Sequence, residues 1–418
     1  MRTVVEHRRA ALALVAPLPS ERVPLDAAEG RVLAGDVRAD AALPRWDNSA
    51  MDGYAVRAED VAGAPDGPVV LRVLADLPAG SDAEPDVVPG TAARIMTGAP
   101  LPPGADSIVP VEATDGGTDT VRIDVPPRRG AHVRRAGEDV GAGDLVLPAG
   151  TLLGAPQIAA AASVGAGDLL VHRAPRVAVL STGSELVPPG QPLRRGQIPD
   201  SNSFGLAAAV RAAGGRALRV GAVPDDVDVL RRVLTDWDGA APDDRPDLVL
   251  TSGGVSMGAF DVVKELLADH AGMEFVSVAM QPGKPQGLGR LPGGTPVVAV
   301  PGNPVSALVS FHVFVVPLLR RLRGLADPDP DAERETAVVA DGWRTPPARE
   351  QYMPVTLTRG VHGAAGGAGL VARRAVPGGS GSHLVAGLAR AHGLAVVAAD
   401  VEEVRPADVL PVLRLGRG

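Results

Sequence analysis

Between Arg176 and Leu322 the chain alternates short apolar runs with longer segments at helical spacing, and this constrains the fold more than any other feature. Val177 to Leu180, Ala217 to Val223, Leu248 to Leu250, Phe275 to Ala279 and Val297 to Val300 read as strands. Phe204 to Ala213, Val227 to Leu234, Val262 to Ala268 and Val305 to Leu322 read as helices. Such alternation predicts a parallel sheet covered on both faces. Three glycine- and proline-marked loops follow these strands: Thr251 to Gly258, Gln281 to Pro285, and Val300 to Ser306. Glycine lets a backbone approach an anion closely, and a helix start adds unpaired N–H groups with a favourable dipole. Lys284 adds a fixed positive charge. Loops of this kind at the ends of parallel strands describe a site for a phosphate-bearing ligand.

The same strand ends carry acids. Ser181-Thr182-Gly183-Ser184-Glu185 follows the first strand, Pro224-Asp225-Asp226 the second, and Asp261 precedes a helix. In a doubly wound sheet these loops share one edge, so Glu185, Asp226 and Asp261 are candidate ligands of a magnesium ion beside a phosphate. Taken singly, each is equally well an ordinary helix cap or turn acid, and Gly253-Gly254 alone is a weak signal. A second group lies outside the alternating region. It comprises Asn48 to Tyr54, Ile95 to Ala99 and His132 to Asp139, with Arg134 and Arg135 as donors to an oxyanion and Asp52 and Thr97 as orienting groups. Singly, these too read as turns and solvated surface.

Several function classes are excluded or disfavoured. The net charge of −8 argues against a general nucleic-acid binder, which needs a basic footprint. With no cysteine there is no disulfide, thiolate zinc site or cysteine nucleophile. No apolar run approaches the roughly 18–20 residues of a membrane span, and the N-terminus lacks a signal-peptide core; a cytoplasmic protein is expected. The eight histidines show no metal-ligand spacing. Gly287-Leu288-Gly289 lacks the following helix and third glycine of a dinucleotide fingerprint.

Elsewhere, Val4 to Val15 has helical periodicity, ended by Pro17 and Pro19. Residues 41–60 read as polar and turn-rich. Val69 to Leu74, Ala92 to Met96, Ser107 to Val111 and Val121 to Val125 suggest a small all-β domain. Residues 144–170 return to the style of the opening segment, with a short helix near Gln157 to Ala162. Asp327-Pro328-Asp329-Pro330 reads as a linker, and short strands follow it.

Together these motifs resemble the MoeA family of bacterial molybdopterin molybdenumtransferases, which is similar to the C-terminal part of gephyrin. The resemblance runs in order along essentially the whole chain. It rests on Asn48-Ser49-Ala50-Met51-Asp52-Gly53-Tyr54-Ala55, Ile95-Met96-Thr97-Gly98-Ala99-Pro100 and Gly137-Glu138-Asp139. It continues through Ser181 to Leu186, Asp200-Ser201-Asn202 and the three loops, and ends in Arg349 to Val355 and Gly381-Ser382-His383-Leu384. The resemblance implies a multidomain α/β plus β architecture in four parts. They are a discontinuous, elongated N-terminal linking domain (1–46 and 140–172), a small β domain (47–139), a central parallel α/β molybdopterin-binding domain (173–326) and a C-terminal β domain (327–418).

It also implies the last step of molybdenum cofactor synthesis: hydrolysis of adenylylated molybdopterin with insertion of molybdate, release of AMP, and a requirement for Mg2+. A homodimer would bring Asp52, Thr97, Arg134 and Asp139 of one subunit opposite Glu185, Asp226, Asp261 and Lys284 of the other. Contact with the molybdopterin adenylyltransferase is a further implied partnership. Thr182, Gly253, Gly254, Ser256, Pro301 and Asn303 would line the pterin site, and Lys284 would neutralise phosphate or incoming molybdate. Thr97, Arg134, Arg349 and Ser382 would be oxyanion contacts. The sequence departs from the family at Gln281, where some relatives carry lysine, at Ser184, where others carry aspartate, and at Pro199, where an aromatic residue is frequent. Two other readings stand beside this one. Adenylylation of molybdopterin needs only the α/β domain, and a non-catalytic pterin-binding scaffold is argued against by the presence of Asp52, Glu185, Asp226 and Asp261 together.

Overall fold

A computed structural model describes residues 1–64, 67–255, 262–267, 272–326, 334–362 and 367–416. The alternating region forms a six-stranded sheet in the order Arg216–Val223, Arg176–Thr182, Leu248–Ser252, Pro296–Val300, Pro285–Arg290, Glu274–Ser277. The first four strands are parallel, as expected. Pro285–Arg290 then runs antiparallel to both its neighbours, so the sheet is mixed at that edge.

Burial follows the two-residue period of a strand. Val177, Val179, Leu248, Leu250, Val298 and Val300 pack into one layer with the helices Asn202–Ala212 and Pro304–Leu322. Ala178, Leu180, Val249, Val297 and Ala299 face the other layer, under the helices Val227–Asp238 and Val262–Leu267. Two covered faces explain why these strands are continuous apolar runs rather than alternating ones.

The helix Pro304–Leu322 is 19 residues long and by length and composition alone reaches a membrane span, a length the sequence reading found in no run. Of its most apolar window 72% is buried inside the protein, so it serves as a core helix here. It widens into a π turn at Phe311–Val315, where the Val316 N–H donates to the Phe311 carbonyl. Pro317 follows that turn by two residues; it has no N–H to give and its ring excludes the carbonyl four residues back.

The region around residues 41–60 contains more structure than its polarity suggests. Gly53–Val56 is a fully buried strand, inside a five-stranded sheet ordered Ser107–Pro110, Gly53–Val56, Thr91–Ile95, Val69–Leu77, Thr120–Ile123. Tyr54 and Val56 enter one core and Ala55 the other. The opening segment and residues 140–172 share a separate core of Val23, Leu33, Leu153, Ala161 and Val171. There Ser20–Pro24 pairs antiparallel with Asp168–His172. The helix predicted over Val4 to Val15 spans Val4–Leu12, held at its start by a reciprocal Thr3–Glu6 capping box.

The tail is not a set of short strands. Glu350–His362 runs 13 residues and pairs with both Gly367–Arg374 and Gly393–Val397. With Glu335–Val339 and Val409–Arg414 these strands close a five-stranded barrel. Met280–Gln281, from the central region, adds to this barrel in parallel with Glu350–Gln351. The loop carrying Lys284 therefore leaves a strand of the barrel rather than a parallel strand of the central sheet. The linker Asp327 to Pro330 lies outside the described residues.

Candidate active site

The strand order reverses its direction of growth between Arg176–Thr182 and Leu248–Ser252, and ligands of open α/β sheets bind outside the strand ends at such a point. The loops leaving those strands and Pro296–Val300 line a cleft of about 450 Å³. Thr182, Glu185, Gly253, Gly254, Pro301 and Asn303 all border it, so the structure brings these candidates together.

The loops meet this closely because of particular residues. Gly253 and Gly254 have φ of +93° and +74°. A Cβ at Gly253 would lie 2.8 Å from both the carbonyl oxygen and Oγ1 of Thr182. The Gly253 N–H donates to the Val300 carbonyl at 3.0 Å, so this residue gives the cleft its closeness rather than a free donor. Asn202 joins the loops by donating from Nδ2 to Ser252 Oγ and to the Gly302 carbonyl, each at 2.7 Å. Beneath it Asp200, 2% exposed, accepts from Ser181 Oγ and the Ser203 N–H, both at 3.0 Å. Asn303 precedes the core helix without a side-chain capping bond. Asn303 and Pro304 line the cleft, so the positive end of the helix dipole lies at its edge.

The acids divide differently from the sequence expectation. Glu185 is exposed at the cleft. Two more acids border the cleft: the buried Asp200, and Asp225, whose Oδ2 accepts from the Ser184 N–H at 2.9 Å while its own N–H donates to Ser184 Oγ at 2.9 Å. Asp226 does not border the cleft. Its Oδ1 accepts from the N–H groups of Asp228 and Val229 at 2.9 and 3.0 Å, capping the helix Val227–Asp238. Asp261 and Ser256 lie outside the described residues. Among the described residues no cluster of three His, Cys, Asp or Glu is arranged to hold a metal. The donors that fit one are Glu185 and Asp225, since magnesium is usually held by one or two carboxylates with substrate phosphate and water.

Three further candidates do not line the cleft but are joined to residues beside it. Lys284 is exposed and precedes Pro285, which lines it. Arg349 donates from Nη1 to Gln281 Oε1 at 3.3 Å, tying the barrel to the lysine loop. The Ser382 carbonyl accepts from the Val305 N–H at 3.1 Å, setting the barrel loop against the start of the core helix beside Asn303.

Asp52, Thr97, Arg134 and Asp139 form a separate group. Asp52 Oδ1 accepts from the Thr97 N–H at 2.7 Å and from Thr97 Oγ1 at 2.8 Å. The Thr97 N–H above all, and then its hydroxyl, hold the Asp52 carboxyl below its ordinary range. Arg134 is exposed on a two-residue strand opposite Asn48. Asp139 is exposed too, its N–H donating to the Leu43 carbonyl at 3.0 Å. Among the described residues none of the four borders the cleft.

Sequence reasoning gave no role to Asn202, Asp200, Ser252 or Asp225. Asp200-Ser201-Asn202 was visible as a motif, but its function as a bolt between loops depends on pairing across about a hundred residues.

Comparison with known proteins agrees with this layout. Residues 2–165 match the model of the MoeA N-terminal region (domain I and II), residues 178–321 that of a probable molybdopterin binding domain, and residues 336–415 that of the MoeA C-terminal region (domain IV). The chain is 47% identical over 420 residues to molybdopterin molybdenumtransferase 2 of Mycobacterium tuberculosis, with 99% of each chain covered. It is 37% identical over 435 residues to molybdopterin molybdenumtransferase 1 of the same organism, with both chains covered in full. Among solved structures, the molybdopterin biosynthesis MoeA protein of Pyrococcus horikoshii superposes with a TM-score of 0.81 at 26% identity, covering 99% of this chain and 100% of that one. On the three matched regions and the full-length relatives, this chain belongs to the MoeA family.

Proposed function

We propose that this chain is a molybdopterin molybdenumtransferase that acts on adenylylated molybdopterin, releasing AMP as molybdate is inserted. The observation that carries this reading is the cleft at the topological switch point, where Gly253, Gly254, Pro301 and Asn303 surround space for a phosphate-bearing pterin. Gly254, whose N–H has no backbone acceptor among the described residues, and Asn303 are the groups suited to bind phosphate oxygens. Thr182 and Pro301 shape the wall. Water attack at a phosphorus of the anhydride breaks a P–O bond, and one proton must leave the attacking water. That proton can leave to bulk water, since the cleft opens to solvent at the exposed Glu185.

The bound Mg2+ that we assign to Glu185 and Asp225, with Asp261 as a further candidate, would supply charge neutralisation on the cleaved anhydride. Asp226 keeps the second loop in place as a cap. Lys284, with Arg349 and Ser382 nearby, is suited to attract molybdate, the substrate oxyanion. A homodimer in the cytoplasm would present Asp52, Thr97, Arg134 and Asp139 of the partner subunit to this cleft, and contact with the adenylyltransferase would deliver the substrate. The corresponding domains are 1–46 with 140–172, 47–139, 173–326 and 327–418.

A single-turnover assay with adenylylated molybdopterin, Mg2+ and molybdate tests the reading. Molybdate-dependent AMP release is expected. Tight binding without AMP release sinks it in favour of a scaffold, and pyrophosphate formed from ATP and molybdopterin would point to adenylylation instead.

A further inference from the structure

A line of contacts runs from the outer edge of the central sheet to the buried acid on the cleft wall. Asp200 is 2% exposed and borders the cleft. Its Oδ1 accepts from Ser181 Oγ and the Ser203 N–H, and its Oδ2 from Ser203 Oγ. All three donors are neutral, and a buried carboxylate without a cation is costly. The network nevertheless ends on a cation. Arg219 Nη1 donates to Ser203 Oγ at 3.2 Å, so a single buried hydroxyl separates guanidinium from carboxylate. The direction of this relay is fixed by its chemistry. A guanidinium only donates and a hydroxyl has one proton, so the Ser203 proton goes to Asp200.

Several features converge on Arg219. Its guanidinium lies over the Phe204 ring, 3.9 Å from the ring centroid. Arg216–Val223 is the edge strand of the central sheet, and its register with Arg176–Thr182 shifts between Arg219 and Gly221. A bulge of this kind re-aims the side chains beside it. Gly221 takes a φ of +100°, and a Cβ there would lie 3.2 Å from Arg219 Nη1. A ring, a bulge and a glycine thus hold an otherwise exposed side chain in one place.

We infer that Arg219 is a positioning residue for the cleft, acting through Ser203 on Asp200. Neither Arg219 nor Ser203 is among the described residues that line the cleft. What Asp200 ties together does line it. Ser181 precedes Thr182 on one wall, and Asn202, the bolt between the other loops, lies two residues beyond Asp200. Without the arginine the serine hydroxyl loses the donor that fixes its rotation, and the two walls lose part of their common anchor. The inference rests on the reading that this cleft binds a pterin.

Fluorescence titration of the full chain with molybdopterin tests it, because the transferase, adenylylation and scaffold readings all require that binding. Arg219→Ala should weaken binding about fivefold, with an unchanged melting curve. Ser203→Ala should cause a similar loss. In the double variant the two losses should not add, because both remove the same link to Asp200. In AMP release the Arg219→Ala effect should fall on KM rather than kcat, as expected for a residue that shapes the binding walls and touches no reacting atom. Wild-type affinity in Arg219→Ala overturns the inference, and does so even if Ser203→Ala fails to fold. Losses that add in full, or an effect confined to kcat, overturn it too. A wild-type chain that binds no molybdopterin sinks the reading of the cleft and this inference together. A wild type that binds, matched by Arg219→Ala, sinks this inference alone.

Discussion

The two groups of candidate residues are built on opposite plans. Around the cleft, positions are over-determined: Asn202 bolts two loops, Asp200 is buried beneath it, and Gly253 is pressed against Thr182. Around Asp52 the side chains are exposed and held by a single residue, Thr97. The first plan suits a pocket that must keep its shape before a ligand arrives, since small misplacements are costly in catalysis. The second suits groups that become ordered only when something covers them.

Glycine-to-alanine exchanges break the comparison most sharply, because both regions contain a glycine at positive φ. Gly253→Ala adds a methyl 2.8 Å from two Thr182 atoms at φ +93°, so a loop must move. AMP release should fall by at least about a hundredfold. Gly98→Ala, at φ +84° beside Thr97, meets nothing within 4 Å. It should cost only about 1–2 kcal/mol of backbone strain, with activity within a few-fold of wild type. Equal activity losses in the two variants would erase the distinction drawn between the regions.

Asn202→Ala is next in size. It leaves Ser252 Oγ and the Gly302 carbonyl without their shared donor, which should cost about 1–3 kcal/mol in urea unfolding. Pterin binding should weaken as the loops separate. Asn202→Asp should be no better, because a carboxylate cannot donate to the Gly302 carbonyl. If Asn202→Ala binds pterin normally, the bolt is not what shapes the cleft.

How much of this could be read from the chain depends on the range of the interaction. The buried strands Leu248–Ser252 and Pro296–Val300 announce themselves because both faces are apolar. The gathering of Thr182, Gly253, Pro301 and Asn303 follows from strand order alone. Gly53–Val56 was hidden because four buried residues opened by glycine sit inside a polar stretch. Asp226 looked like a ligand because a helix cap and a metal ligand call for the same residue type, and only its bonds to Asp228 and Val229 separate them. The reversal at Pro285–Arg290 and the barrel pairing of Met280–Gln281 depend on partners distant in sequence, which local patterning does not encode.

The support behind the cleft should itself depend on pH through His7. This residue is 1% exposed, packs edge-on against Phe314 of the core helix with ring centroids 4.7 Å apart, and among the described residues has no hydrogen-bond partner for either ring nitrogen. Burial, and then the nearby Arg2 charge, push its pKa down to about 3 from 6.5. With the folded value depressed, the unfolded chain takes up the proton first. Stability is therefore complete above about pH 6.5 and declines as pH falls toward 3. Between pH 7.5 and 5 the loss from this residue should be about 2 kcal/mol in urea unfolding. His7→Phe should keep the aromatic contact and remove that loss. An identical pH slope in the variant would show that His7 does not carry it.

Thr97→Ala should have the smallest effect and probe the exposed region alone. Asp52 remains ionised below the usual carboxylate range because the Thr97 N–H and hydroxyl both donate to Oδ1. The backbone N–H, the larger contribution, survives the substitution, while the hydroxyl is lost. The Asp52 pKa should then rise part of the way back, and the protonated form should appear at a higher pH than in the wild type. If ionised Asp52 serves the reaction, the acid limb of AMP release moves upward while the rate near pH 8 changes little. Asp52→Asn, which cannot ionise, should lower the rate at every pH and leave no acid limb from this group. A Thr97→Ala profile superposing on wild type, together with an active Asp52→Asn, would place this pair outside the chemistry and leave the bolted cleft to act without it.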